Sequence, residues 1–312
     1  MGVLYVVSVE EAAGKTAICA GLARNLISDG KKVGYLKPQV TGKDGSDGDV
    51  VFMKQVTGLT DVVNAPDVVQ GRDIVLVENR LGQDTDDVVT KEACGAAREM
   101  KAKVIAVEAY SGNGAKYADI YKEFGDLLLG VVINKVPESQ LERTKEDAEK
   151  LYGAAGIKLL GVLPESRAVF AVTVSELAES VKGEILNSSD KANRLVENYM
   201  LGALVVDSGL GYFSRKSNKA AIIRQDRPDM QLAALETSTR CVVLTGSREK
   251  PMYNVTQKAE SRGIPMISTD AAAIDIIASI EEALGTSRVC QEEKLSKLAD
   301  IVKRGIDLTA VV

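Results

Sequence analysis

Gly14-Lys15-Thr16 closes a short loop between the apolar run Leu4 to Val7 and a helical pattern. That order suits a triphosphate. Backbone N–H groups and a helix N-terminus cradle its oxygens, a lysine reaches the outer phosphates, and a hydroxyl ligates the metal. Lys15 and Thr16 are the candidates for the last two roles. The usual spacing places a glycine five residues before Gly14, where this chain has Val9. Mg²⁺ takes hard oxygen ligands, commonly one or two carboxylates with a hydroxyl, phosphate and water. Glu78 ends the apolar run that starts at Asp73, and a carboxylate there is costly unless it is paired or metal-bound. Asp49 is the second candidate, with Asp47 as its substitute; Asp49 equally suits the N-cap of a helix. Lys37 lies between a short strand and Pro38, facing the same end, or else is a solvated surface lysine. Asn134 ends another apolar run. Its amide can meet the N6 donor and N7 acceptor of adenine together, or it can start a turn.

The elements that must position these residues alternate in type. Ile18, Leu22 and Leu26 recur at helical spacing, and Asp29-Gly30 stops the helix. Strands are expected at 32–36, 73–78, 103–107, 127–133 and 158–163, with helices at 49–58, 86–100, 115–124 and 138–153. Short, nearly continuous apolar strands separated by helices imply an α/β fold: a parallel sheet with helices on both faces, its ligands at the carboxyl ends of the strands. Lys37, Glu78, Asn134 and the loop all fall at such ends. The polar stretch Asn187 to Asn193 follows Gly183 and marks a domain boundary. Beyond it, strands are expected at 201–206, 220–223, 241–244 and 264–268, and helices at 229–238, 251–262 and 271–284. Pro251 starts one of these helices and Gly263 ends it. Residues 291–303 form an amphipathic helix with apolar Leu295, Leu298 and Val302. The domains are then 1–188 for nucleotide binding, 196–286 as a smaller α/β domain, and 287–312 as a helical tail.

Composition removes several classes of function. The 312 residues contain no histidine, which excludes a Ser-His or Cys-His nucleophile and any histidine metal site. An ATP-dependent protein that works by positioning and charge neutralisation is compatible with that restriction. A net charge of −5 argues against nucleic acid as a partner. The four cysteines are far apart, without metal or disulfide spacing, and Cys19 falls on the apolar face of the first helix. No apolar run is long enough for a membrane span, so a cytoplasmic location without membrane contact is expected.

Residues 1–185 resemble the dethiobiotin synthetase-like family of P-loop proteins, and more closely its version at the front of long bacterial phosphate acetyltransferases. The resemblance rests on Ser8-x-Glu10-x-x-x-Gly14-Lys15-Thr16, Lys37-Pro38, and the stretch Asp47, Asp49, Phe52, Met53, Lys54. It also rests on a strand ending in Glu78, on the turn ending in Asn134, and on Gly161 to Glu165. Residues 197–285 resemble the small DRTGG-type domain that follows there, with Asp226-Arg227-Pro228-Asp229, Leu244 to Ser247 and Gly263-Ile-Pro-Met-Ile. The resemblance implies that Ser8 takes the early small-residue position of the loop and that Glu10, Gly14, Lys15, Thr16 and Asn134 contact ATP. It further implies that Thr16, Asp49 and Glu78 hold Mg²⁺, that Lys37 works near the γ-phosphate, and that the protein is a homodimer. Acetyl-phosphate chemistry is not implied, because nothing here matches the acyltransferase domain. One stretch departs from the pattern. Dethiobiotin synthetases continue Glu-Gly-Ala-Gly-Gly, where this chain has Glu78-Asn79-Arg80-Leu81-Gly82, so the substrate side is rewritten. A nucleotide-responsive regulator with an unknown small-molecule ligand is therefore expected ahead of an ATP-dependent synthetase that activates a carboxylate or carbamate. The pair Asp226-Arg227 suits either an ion pair in a turn or part of a ligand site, and the ion pair is expected first because such exposed pairs are common.

Overall fold

A computed structural model describes residues 2–38, 48–58, 71–112, 115–166, 169, 171–202, 209–286 and 292–307. Asp47 and Cys290 lie outside these residues. The chain forms two compact units, Met1–Ser166 together with Val289–Val312, and Arg167–Arg288.

The first unit is built on six parallel strands: β1 (Gly2–Ser8), β2 (Val33–Leu36), β3 (Ile74–Arg80), β4 (Lys103–Ala109), β5 (Leu128–Val136) and β6 (Leu159–Pro164), in the order β2-β3-β1-β4-β5-β6. The central strands are buried on both faces, which is why they read as continuous apolar runs rather than alternating ones. Tyr5 and Val7 of β1 join one core with side chains from α3 (Val88–Glu99), α4 (Ala118–Lys122) and α5 (Leu141–Ala154). Leu4 and Val6 alternate to the other face, that of α1 (Lys15–Ser28). α2 (Gly48–Thr57) packs beside α1. Chain order reverses between β1 and β4, and the loop after β1 opens at that crevice, where open α/β sheets place their ligands.

The helix Glu292–Gly305, expected as a tail, belongs to this unit. Gly21 of α1 lets it approach: a Cβ there would stand 2.5 Å from Val302 Cγ2. Asn25 Nδ2 donates to Ala299 O at 2.9 Å, and Arg24 pairs with Glu292. Beyond the helix, Asp307 N donates to Leu160 O at 2.9 Å, and Ile306 bridges to Gly161.

The second unit holds β7 (Val172–Thr173), α6 (Val174–Ser180), β8 (Glu184–Ile185), β9 (Leu195–Val196), β10 (Asn198–Leu201), α7 (Gly209–Phe213) and β11 (Lys219–Arg224). These are followed by α8 (Pro228–Leu235), β12 (Thr239–Thr245), α9 (Tyr253–Arg262), β13 (Met266–Thr269) and α10 (Ala273–Thr286). Its sheet runs β10-β11-β12-β13-β8, parallel except for β8. Thr173 and Glu176 form a reciprocal capping box that starts α6, and Gly263 ends α9 at φ 57°.

The polar stretch 187–193 is not a linker between the two units. Asn187 donates to Ile264 O at 3.0 Å and accepts from Met266 N at 2.9 Å, so it ties the end of β8 to β13. The division accordingly falls some twenty residues earlier than residue 188, near Arg167. The strand expected at 201–206 overlaps β10 only at Leu201, and 203–208 lie outside the described residues. Among the described residues, no helix is long and apolar enough to cross a membrane.

Candidate functional site

The loop after β1 is held from within. Ser8 Oγ accepts from Glu10 N at 3.0 Å and lies 3.1 Å from Glu10 O, so the early position is filled by a small hydroxyl rather than by glycine. Gly14 caps α1 in the left-handed region at φ 93°, where a side chain is strained, and a Cβ would stand 2.2 Å from Asn134 Nδ2. No side chain caps α1, so its first N–H groups and its positive dipole end face the crevice.

Lys15, the first residue of α1, is 9% exposed, and its Nζ donates to Glu10 O at 3.3 Å. Burial pushes its ammonium pKa down, against the attraction of Glu78. Thr16 Oγ1 donates to Glu78 Oε1 at 2.9 Å, and Tyr35 OH donates to Glu78 Oε2 at 2.8 Å. Glu78 is 3% exposed; burial raises its pKa, while the Tyr35 hydroxyl, Lys37, Thr16 and Lys15 pull it back. A buried carboxylate fixed beside a hydroxyl is a hard-oxygen donor pair that fits Mg²⁺. Among the described residues no three carboxylate or thiol groups gather for a metal, so the ion would take its remaining ligands from phosphate and water.

The other expected residues occupy more specific places. Lys37 Nζ donates to Asp49 Oδ2 at 2.6 Å, so both hold an ion-pair partner. Asp49 sits inside the first turn of α2 rather than at its N-cap. Asn134 Nδ2 donates to Ala13 O at 2.9 Å, which braces the loop from β5 and uses one of the two amide hydrogens. Glu10 directs its carboxylate away from Lys15, accepting from Ala109 N at the end of β4 at 3.0 Å. Lys15, Thr16, Lys37 and Glu78 are thus brought together, whereas the Glu10 side chain joins the loop to β4.

The residues that replace the glycine turn are tied down. Asn79 Nδ2 donates to Tyr5 OH at 2.7 Å, Arg80 pairs with Glu11, and Leu81 is buried with its N–H donating to Ser8 O at 2.9 Å. Tyr35 escaped the sequence reading. Its signal was a tyrosine within a short apolar strand, since a buried hydroxyl must find a partner.

Comparison with known proteins agrees with both resemblances. Residues 3–115 match the AAA domain family, here its dethiobiotin synthetase-like P-loop form, and residues 176–283 match the DRTGG domain family. A phosphate acetyltransferase of Pseudomonas putida is 22% identical over an alignment covering 98% of this chain and 51% of that protein. One from Nitratidesulfovibrio vulgaris is also 22% identical, with 97% and 50% covered. The chain thus spans about half the length of these relatives. The ATP-dependent dethiobiotin synthetase BioD of Bacillus cereus is 23% identical, over 64% of this chain and 96% of that enzyme. The chain combines a dethiobiotin synthetase-like P-loop domain with a DRTGG domain, as in the N-terminal region of phosphate acetyltransferases.

Proposed function

We propose that the first unit binds Mg-ATP and that the protein is a nucleotide-responsive regulator whose DRTGG domain takes a small-molecule ligand. The observation that carries the nucleotide half is the buried Glu78 carboxylate held between Thr16 and Tyr35, beside Lys15 at the start of α1. In this reading Lys15 and the α1 N-terminus hold the outer phosphates, and Thr16 and Glu78 hold Mg²⁺. Asp49 contributes through water while paired to Lys37, and Asn134 offers adenine the amide hydrogen that Ala13 does not take. Glu10 acts by fixing the loop. The homodimer belongs to the same reading, and sedimentation checks it.

The regulatory half is supported by the wall at Asn79–Gly82. With Leu81 buried and Arg80 paired to Glu11, that wall keeps only Gly82 of the glycines that allow a substrate close to the backbone. One observation supports an ATP-dependent synthetase instead. Lys37 acts electrostatically on Glu78 together with Lys15, and two lysines with Mg²⁺ would neutralise a moving phosphoryl group.

Calorimetric titration with Mg-ATP, followed by ADP release assayed with a panel of small acids and amines, tests both. Binding without release supports the regulator. Release stimulated by one of the compounds replaces it with the synthetase, and absence of binding removes both.

A further inference from the structure

Glu108 of β4, on the sheet face covered by α4 and α5, is a second buried carboxylate that the nucleotide reading does not use. It is 6% exposed, and its Oε1 has no hydrogen-bond partner. The hydroxyls of Tyr121 and Tyr152 lie close enough to offset part of the burial cost of its charge, but neither stands in position to complete a hydrogen bond. Glu108 forms no ion pair with any described residue. Glu10, another carboxylate, adds to the negative potential, and Lys116 is exposed with its Nζ over the Tyr117 ring at 4.8 Å. A buried carboxylate in that setting is costly until a cation meets it.

A cleft of about 570 Å³ opens over Glu108, between the segment that follows β4 and α5. This is the size of a small-molecule site. Thr144 and Asp147 line its opposite wall, and Arg143 and Lys150 stand there as well. Arg143 Nε lies 3.6 Å from Asp147 Oδ2, so this cation is engaged with a residue of its own helix rather than with Glu108.

We propose that this cleft binds a small aliphatic primary amine whose ammonium group pairs with the Glu108 carboxylate. The ammonium supplies both the positive charge and the N–H donors that this end of the cleft lacks. Arg143 and Lys150 leave room for an anionic group at the other end of the ligand. The cleft adjoins the proposed nucleotide site, since Ala109 bonds to Glu10 and Tyr110 to Asn134, but it is lined by other residues and the proposal does not rest on nucleotide binding.

Calorimetric titrations without nucleotide test the proposal, with propylamine and β-alanine as probes and propan-1-ol and propionate as their uncharged and anionic counterparts. Both amines bind the native protein and their counterparts do not. Glu108→Gln, which keeps the shape and removes the charge, weakens both amines by about tenfold or more. If that variant fails to fold, Thr144→Trp fills the cleft from the exposed side, and it abolishes amine binding while the melting temperature stays native. The proposal is overturned if no amine binds the native protein or if propan-1-ol binds as tightly as propylamine. Undiminished amine binding in either folded variant overturns it too.

Discussion

The two sheets are built alike and treat their charges differently. At the carboxyl ends of its strands the first unit buries Glu78, held by Thr16 and Tyr35, and Lys15, whose Nζ donates to Glu10 O. At the corresponding ends the second unit carries the pairs Arg224–Asp226, Arg227–Asp229 and Arg248–Asp270 at its surface, so Asp226 and Arg227 do not pair with one another as expected but each with a residue two positions away. Its buried charge, Lys219, lies at the opposite end of β11, where Thr237 Oγ1 and Ser238 O accept from Nζ at 2.8 and 3.0 Å. Exposed pairs cost little and stabilise little, whereas a buried carboxylate is retained against a desolvation cost. The first unit's strand ends therefore bury charge, whereas those of the second keep their charged pairs near the surface and bury only neutral hydroxyls, Thr245, Ser268 and Thr269.

Mutations that break this contrast differ in size. Lys15→Ala has the largest effect, a loss of ATP affinity of about 100-fold or more, because it removes the buried ammonium at the start of α1. Calorimetry reads it. Tyr35→Phe leaves Glu78 without its Oε2 donor, and Mg²⁺ affinity falls by about 10-fold to 100-fold, as for other residues that orient a ligand. A Mg²⁺ titration of the ATP complex measures it.

The third effect concerns stability. Because burial raises the Glu78 pKa in the folded state, the folded protein holds that proton to higher pH than the unfolded chain does. Stability therefore falls as pH rises from the unfolded pKa through the folded one, by about 1.4 kcal/mol per pH unit of the gap between them. Glu78→Gln has no such proton to lose. It should melt above the native protein at neutral pH, and the difference should close in acid. A difference that stays constant with pH would contradict this. Arg227→Ala comes last: it breaks an exposed pair, and the melting temperature should stay within error of native.

What could be read in advance follows from which forces are local. The apolar strands, the Gly14-Lys15-Thr16 loop and the Gly263 stop were legible because burial on both faces, a tight turn and a left-handed cap each leave a local mark. Tyr35 was not, because a tyrosine in a strand looks like core. Only the register that sets it beside Leu76 of β3, two residues before Glu78, shows what its hydroxyl reaches. The amphipathic pattern of Leu295, Leu298 and Val302 announced the last helix but not its partner, since Gly21 shows its purpose only when Val302 lies against it. Asn187 to Asn193 looked like a linker because it is polar, yet polar side chains also fasten strands together.

The central claim is that Glu78, held by Thr16 and Tyr35, makes nucleotide binding depend on a divalent metal. ATP titrations of the native protein and of Glu78→Gln, each with and without Mg²⁺, test it most directly. Mg²⁺ should strengthen ATP binding to the native protein by about tenfold or more and leave the variant nearly unchanged. An equal response to Mg²⁺ in both proteins would contradict the account.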